Sequence, residues 1–450
     1  MDNRFLMLAC VLIIALGVVV VPFPDGAVAI GFVIALSVLP IILFRRYTEE
    51  KGFITSIFLV ALALRMGFGV LVYIFDLQSF FGGDSSVYDY RAAGLVDIWH
   101  GHSDMSNKFG VYVDPTSGPG WGMNYLVGFI YLLLGRNVFA AQSFCAVIGA
   151  ATSPLVYFFS KKIFNNIRVA KVAAIAIAVF PAFVIWSGQL LKDGLIIFLL
   201  VLTMTLVLQL QEKFRITSLV LLVFSLFGIL SLRFYIFYMV LVAVVGSFII
   251  GLSNSTKFIL RNTVILVFVG ISLTYLGVGQ RAGSEFKRFG SLEEMQRSRA
   301  DLAKAGSGFG EDIDVSTTEG AVTVLPIGFV YLMFGPFPWQ ASNLRQLITM
   351  PEVLLWWAMM PFLFTGLIYT VKNRLRKAFP ILIFSILLTL AYSIFQGNVG
   401  TAYRQRTQIQ VFLFVLIGVG WTIKQEEREN KKLIRGAAKM QLDDRIRVQS

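Results

Sequence analysis

Long stretches of apolar residues alternate with short polar connections along most of this 450-residue chain. A helix needs about 20 mostly apolar residues to cross a bilayer, and twelve stretches approach that length. They predict an all-α polytopic membrane protein with about twelve transmembrane helices, at residues 5–21, 27–44, 54–75, 138–159, 169–187, 194–210, 216–232, 234–252, 263–279, 352–371, 379–396 and 408–423.

The composition agrees with this pattern and excludes a soluble or a disordered protein. Apolar residues make up 57% of the chain and charged residues 14%, whereas soluble domains have about 45–50% and about 25%. The net charge of +13 would suggest nucleic acid in a soluble protein. Here the basic residues cluster in alternate loops, so we expect membrane lipids and no nucleic acid as partners.

The positions of Lys and Arg predict the orientation, because positive residues favour the cytoplasmic side of a membrane. With the N-terminus inside, the cytoplasmic side receives Arg45, Lys161, the 372–376 loop and the basic end of the chain. We therefore predict that both termini are cytoplasmic. Residues 1–423 form one transmembrane domain in this interpretation, and residues 424–450 form a basic tail.

Two long segments remain on the outer side, at 76–137 and 280–351, and a short polar one lies at 397–406. The first contains two predicted helices. Residues 85–100 follow a capping residue, Asp84 or Ser85. Residues 119–134 are apolar but rich in glycine, and a crossing there would invert every later loop. Both helices are therefore expected at the outer membrane surface.

Asp84 is the first candidate for chemistry, because it follows two glycines at the boundary between the membrane and water. A carboxylate beside apolar surface is suited to act as a general base. The alternative is that Asp84 only caps its helix. Asp89 lies five residues further on and is either a second catalytic carboxylate or a partner of Arg91.

His100 and His102 are the only histidines of the chain. Two histidines do not make a metal site by themselves, although Asp104 would add a third ligand. They are weak candidates for a divalent metal ion, and exposed loop histidines are the alternative. No cofactor is certain from the sequence.

Several charged residues at predicted helix ends are candidates for binding an anionic substrate. Lys192 precedes a helix on the outer side and either meets an anionic ligand or reaches a lipid headgroup. Arg404 and Arg406 lie outside, where the orientation rule gives no reason for them, and two guanidinium groups suit a phosphate or diphosphate. Ordinary anchoring to lipid headgroups is the alternative for these two arginines. Glu352 is either a ligand or an ordinary helix start.

Arg65 lies in the middle of the third predicted span. A charged residue at that depth costs about 2.5 kcal/mol or more on insertion scales. It must therefore face the interior of the helix bundle, either in a structural pair or in a site.

The order of these motifs resembles the GT-C superfamily of membrane glycosyltransferases, especially bacterial relatives of protein mannosyltransferases and aminoarabinose transferases. The resemblance covers residues 80–210 well and the C-terminal third loosely, and Ser85 stands where many members have Glu. It is carried by Asp84, Tyr88 and Ala92 at helical spacing, the segment from Pro119 to Gly135, Lys161 to Phe164, Phe180-Pro181, Trp186-Ser187-Gly188, Lys192-Asp193, and the segment from Gly400 to Arg406.

The resemblance implies a hexosyl or pentosyl transferase of a bacterial inner membrane, with a role in cell-envelope polysaccharide biosynthesis. It would move a sugar from a polyprenyl-phosphate donor to a glycan, lipid or protein acceptor on the outer face. Asp84 would deprotonate or orient the acceptor hydroxyl, or help to hold a metal. Arg404 and Arg406 would neutralise the departing lipid phosphate. The predicted site is catalytic Asp84 and Asp89, with Tyr88, Lys192, Arg404, Arg406 and Glu352 as substrate ligands.

Two other functions stay open at this level. A polysaccharide polymerase or ligase also uses arginines on the outer side, but acts on lipid-diphosphate oligosaccharides. A transporter of lipid-linked glycans is the other alternative. Transporters often show internal repeats and broken helices near the membrane midplane, and the two halves of this sequence show no repeat.

Overall fold

The computed structural model describes residues 24–81, 84–101, 120–250, 255–304, 307–310, 313–341 and 343–449. Almost all of the regular structure in these ranges is helical. The helices are α1 (Asp25–Arg46), α2 (Lys51–Ile74), α3 (Gln78–Phe81), α4 (Asp84–Trp99), α5 (Trp121–Leu134), α6 (Val138–Phe164), α7 (Ile167–Val179), α8 (Pro181–Ser187), α9 (Asp193–Glu212), α10 (Ile216–Leu232), α11 (Phe234–Ile250), α12 (Thr256–Tyr275), α13 (Val278–Phe289), α14 (Leu292–Ala303), α15 (Thr318–Phe334), α16 (Leu344–Ala358), α17 (Met360–Phe395) and α18 (Val399–Gln449).

Seven helices in the described ranges are long and apolar enough to cross a membrane, namely α1, α2, α6, α9, α12, α17 and α18. The pair α7–α8 gives an eighth span that is bent by 54°. Helices α10 and α11 are apolar but have only 17 residues each. The predicted all-α polytopic membrane fold is confirmed. The predicted span at 5–21 lies outside the described residues.

Helix α17 has two halves, because its backbone leaves the helical region at Arg374. Each half contains part of a different predicted span. Before that point, Phe362 packs against Trp421 of α18. After it, Phe384 packs against Phe412, and the Tyr392 hydroxyl donates a hydrogen bond to Gln408, 2.6 Å away. Residues further along the second half of α17 therefore contact residues earlier in α18. This half runs antiparallel to α18 and carries the predicted span at 379–396, while the span at 352–371 begins within α16.

Ion pairs connect the helix ends next to the loops that are predicted to be cytoplasmic, and these ends lie on one face of the bundle. They join different helices at the same end, so the predicted grouping of these loops agrees with the structure. The pairs are Lys162–Glu212 at 2.5 Å, Lys171–Glu50 at 2.7 Å, Arg168–Glu429 at 2.7 Å and Lys377–Glu212 at 3.8 Å.

The opposite face carries α4 and α5, the two helices predicted in the first long outer segment. They pack closely, because Gly128 leaves room for the Trp99 ring: a Cβ at Gly128 would lie 3.2 Å from that ring. The ring of Trp99 also contacts Tyr125, with centroids 6.0 Å apart. The packing of α5 against α4 therefore sets the orientation of α4, which begins at Asp84.

Candidate active site

A cavity of about 1380 Å³ opens on the face that carries α4 and α5. Its wall includes the start of α4, the turn between α8 and α9, the junction of α10 and α11, and the first turns of α18. Four charged side chains from these elements line it together, and α14 and the beginning of α16 close the other side. These four are Asp84, Lys192, Arg233 and Arg404.

Each of these side chains stands at or near the end of a helix. Asp84 and Asp193 are the first residues of α4 and α9, where the helix dipole favours a negative charge. Lys192 directly precedes α9, and Arg233 separates α10 from α11. Because all these ends lie on one face of the bundle, residues far apart in the sequence meet there.

Arg404 is the centre of the cluster. Its Nε and Nη2 donate to the same oxygen, Oδ2 of Asp193, at 2.9 and 2.6 Å. Its Nη1 donates to Oδ2 of Asp84 at 2.9 Å. The guanidinium carbon also lies 5.3 Å from the centroid of the Trp186 ring. Two carboxylates and an aromatic ring therefore hold Arg404 in one orientation.

The two carboxylates differ in their access to the cavity. The Asp193 side chain is completely buried, and its second oxygen lies 3.2 Å from Nη2 of Arg233. A buried carboxylate requires such partners, so Asp193 serves to hold Arg404 and Arg233. The Asp84 side chain is 50% exposed. It is therefore the carboxylate that a substrate can reach.

Lys192 adds a third cation to the cluster. Its Nζ lies 6.0 Å from the centroid of the buried Tyr88 ring, and no carboxylate of the described residues forms an ion pair with it. Burial, assisted by repulsion from Arg233, lowers the pKa of Lys192 to about 8. Three cations and two carboxylates give the cluster an excess positive charge, which suits an anionic ligand.

Asp89 and Arg406 lie away from this cluster, which differs from their predicted position. Asp89 accepts hydrogen bonds from Nη2 of Arg136 at 2.6 Å and from the Tyr131 hydroxyl at 2.7 Å. It therefore ties α4 to α5, and Arg91 is not its partner in an ion pair. Arg406 is fully buried, and its Nη1 donates to the carbonyls of Met333 and Gly335, both at 3.0 Å.

Glu352 and the histidines also lie apart from the cluster. Glu352 is buried and accepts a hydrogen bond of 2.6 Å from the Tyr403 hydroxyl. His100 directly follows α4 and is exposed, while His102 lies outside the described residues.

The residues of the cluster do not fit a divalent metal ion. Within the described ranges, no group of three or more His, Cys, Asp or Glu side chains is close enough to hold one. In the cluster itself, Asp193 is already engaged by two arginines. Asp84 would be the sole available carboxylate, beside three positive side chains.

Sequence reasoning missed the role of Arg233. The signal that singled out Arg404, an arginine on the outer side where the orientation rule gives no reason for it, applies equally to Arg233. An arginine between two spans can also reach the membrane interface, so its position alone does not indicate a site. In the structure Arg233 forms an ion pair with the buried Asp193, which also pairs with Arg404.

Comparison with known proteins finds a family model that matches part of the chain. Residues 119–276 match the family model described as dolichyl-phosphate-mannose-protein mannosyltransferase. This match covers part of the chain and agrees with the resemblance to the GT-C superfamily of membrane glycosyltransferases. The matched range includes Lys192, Asp193 and Arg233, whereas Asp84 and Arg404 lie outside it.

Two further comparisons add little. No curated protein matches the chain. Among solved structures, the chain is similar to ArnT from Cupriavidus metallidurans in the apo state, with 13% identity and a TM-score of 0.40. The similarity covers 70% of this chain and about half, 51%, of that protein. A likeness this weak supports no conclusion about substrate or mechanism.

Proposed function

We propose that this protein is a glycosyltransferase that moves a sugar from a polyprenyl-phosphate donor to an acceptor hydroxyl in the cavity described above. The observation that carries the proposal is the meeting of one accessible carboxylate, Asp84, with Lys192, Arg233 and Arg404 at one wall of the cavity. The carboxylate supplies a base for the acceptor. The cations supply a binding place for the phosphate of the donor.

The charge of the cluster favours a monophosphate over a diphosphate. Asp84 and Asp193 balance two of the three cations, which leaves one positive charge for the ligand. A sugar linked to a lipid through one phosphate carries a single negative charge. A lipid diphosphate carries two and would leave one of them without a partner. This argument favours a transferase over a polymerase or ligase that acts on lipid-diphosphate oligosaccharides.

The residues suggest how the transfer proceeds. The acceptor oxygen attacks the anomeric carbon and forms a bond to it, while the bond from that carbon to the phosphate oxygen breaks. The acceptor proton passes to Asp84, and the bonding electrons leave with the phosphate. Arg404 and Lys192 stabilise the negative charge that develops there. In this scheme Nη1 of Arg404 turns from Asp84 to the phosphate, which frees the carboxylate to act as a base.

The mouth of the cavity suits a lipid chain. Phe80 and Phe81 of α3 and Leu344 and Ile348 of α16 line it, and Leu344 and Ile348 are exposed at 62% and 50%. These apolar side chains offer a surface for a prenyl chain next to the charged cluster. The charge pattern of the loops supports an active site on the outer face of a bacterial inner membrane, with both termini in the cytoplasm.

Transfer with defined donors tests this proposal. The full chain, reconstituted in liposomes, would receive either a polyprenyl-phosphate hexose or pentose, or a lipid-diphosphate oligosaccharide, together with cell-envelope acceptors. We expect sugar transfer from the monophosphate donor. Transfer from the diphosphate donor alone would show a polymerase or ligase, and flux of a labelled lipid-linked glycan without transfer would show a transporter.

The protonation of Lys192 is expected to set an alkaline limit on activity. Because burial lowers the pKa of Lys192 to about 8, its charge is complete well below pH 8 and is lost as the pH rises through that value. We therefore expect kcat/KM for the donor to fall above about pH 8. The Lys192→Arg variant should move this fall to higher pH, because arginine keeps its charge there. An unchanged pH profile of this variant would argue against Lys192 as the phosphate ligand.

A further inference from the structure

Arg65 is almost completely buried in the middle of α2, with 1% of its surface exposed. No carboxylate of the described residues forms an ion pair with it. Its guanidinium instead donates four hydrogen bonds, three of them to the segment that contains α7 and α8. They reach the Ile177 carbonyl at 3.0 Å, the Ala178 carbonyl at 3.1 Å and the Ser187 hydroxyl at 2.7 Å, and the fourth reaches Ala61 on its own helix at 3.0 Å.

The carbonyls that accept hydrogen bonds from Arg65 are those that lose their backbone N–H donors at the break between α7 and α8. In a continuous helix, the Ile177 carbonyl would accept from the N–H of residue 181. That residue is Pro181, which has no N–H. The Ala178 carbonyl would accept from Ala182, but Ala182 lies in α8, beyond a bend of 54°. Buried carbonyls need donors, and Arg65 supplies them.

Arg65 also holds the C-terminal end of α8. Its Nε donates to Ser187, the last residue of α8, and the Ser187 hydroxyl donates in turn to the Phe183 carbonyl at 2.5 Å. One side chain therefore holds the last turn of α7, before the break, and the last residue of α8. Its residue Trp186 packs against Arg404, and the turn that follows α8 carries Lys192.

The packing around the contact between Arg65 and Ser187 is tight at two glycines. A Cβ at Gly149 would lie 2.4 Å from the Ser187 hydroxyl oxygen and 3.0 Å from Nε of Arg65. A Cβ at Gly194 would lie 2.5 Å from the Cβ of Ser187. Glycines on α6 and α9 thus let Ser187 reach Arg65, and they place the start of α9 directly against the end of α8.

We propose that Arg65 is a positioning residue of the phosphate site, which acts by fixing α8 and the turn that carries Lys192 and Asp193. This inference rests on the proposed function, because the turn matters only if Lys192 binds the donor. Arg65 itself does not line the large cavity. It acts through α8 and does not touch the substrate.

The test compares two buried hydroxyl groups beside Arg65. Ser187 is bonded to the arginine, whereas the hydroxyl of Thr152, which lines the same small space, donates to the Ile148 carbonyl of its own helix at 3.2 Å. Purified full-length Ser187→Ala, Arg65→Lys and Thr152→Ala variants would be titrated with polyprenyl phosphate, without a sugar, over a range of pH. Only the monodisperse fraction of each variant would be measured.

We expect Ser187→Ala to bind polyprenyl phosphate about tenfold more weakly, which corresponds to about 1.4 kcal/mol. Arg65→Lys should bind at least as weakly, because one ammonium cannot serve both the end of α7 and the end of α8. The alkaline fall in affinity should also move to higher pH in both variants, because a looser turn exposes Lys192 to water. Thr152→Ala should match the natural protein in both respects.

Lys192 is a useful reporter because its charged and titratable surroundings come from several elements. They are Asp84 and Tyr88 of α4, Asp193 of α9, Arg233 between α10 and α11, and Arg404 of α18. A purely structural role for Arg65 would lower the folded yield and leave the affinity and its pH midpoint unchanged in the folded fraction. That result would overturn the positioning role. Failure of the natural protein itself to bind polyprenyl phosphate would instead overturn the proposed function.

Discussion

Replacement of Asp84 by Asn is expected to lower kcat for sugar transfer by about 10²–10⁴-fold, the usual contribution of a general base. The amide retains the shape of the side chain but cannot accept the acceptor proton. Folding should be almost unaffected, because the Asp84 side chain is half exposed and such ion pairs contribute about 1 kcal/mol or less. Arg404 also keeps its two hydrogen bonds to Asp193. Initial rates and thermal unfolding, measured on the same preparation, separate these two effects.

Asp89→Asn is the matched control, five residues away on the same helix. Asp89 accepts hydrogen bonds from Arg136 and Tyr131, so this variant should lose the tie between α4 and α5. We expect a lower unfolding temperature, from a loss of about 1–3 kcal/mol, and an unchanged kcat in the folded fraction. Full transfer by Asp84→Asn, or equal inactivity of both variants, would contradict the assignment of Asp84 as the base.

The spans of this protein were predictable because a bilayer demands long apolar stretches, and that demand is visible in the sequence. The two helices of the first outer segment were predictable for a related reason. The structure has helix α5 in the predicted stretch, and the position of this helix at the outer membrane surface stays a prediction from the orientation rule. These inferences depend on local composition and on sidedness, which need no knowledge of tertiary contacts.

The sequence predicted that Arg404 and Arg406 bind the same ligand, but it did not predict the direction in which each side chain points. The sequence placed both arginines in a polar outer segment at 397–406, where two neighbouring side chains can face one ligand. The structure begins α18 at Val399, and on a helix two residues i and i+2 do not face the same way. Arg404 therefore points to the cavity and Arg406 to the Met333 and Gly335 carbonyls.

The cluster itself could not be derived from the sequence. Asp193 and Arg404 are 211 positions apart, and their contact depends on how four separate helix ends converge. Local patterns supplied the individual candidates Asp84, Lys192 and Arg404. They did not reveal that Asp193 is completely buried, or that Arg233 forms an ion pair with it.

Replacement of Arg404 by Lys is expected to lower kcat/KM for the lipid-phosphate donor by about 10²–10³-fold, the loss found when one charge-stabilising donor is removed from an active site. Lysine keeps the positive charge but not the planar fork of donors. One ammonium cannot hold Asp193, Asp84 and a phosphate as the guanidinium can. Asp193 retains Arg233 as a partner, so we expect a folded protein of lower stability. Kinetics with the donor as the varied substrate measure the effect.

Arg406→Lys serves as the matched control, because both arginines are on α18, where Arg406 is fully buried and the Arg404 side chain is 14% exposed. Arg406 donates to backbone carbonyls and packs on the rings of Trp356 and Tyr403, at 5.7 and 5.2 Å from their centroids. Its replacement should reduce the unfolding temperature and leave KM for the donor unchanged in the folded fraction. If Arg406→Lys raised this KM as much as Arg404→Lys, phosphate binding would not depend on the cavity cluster. The excess charge of Lys192, Arg233 and Arg404 would then have no role in selecting a monophosphate donor.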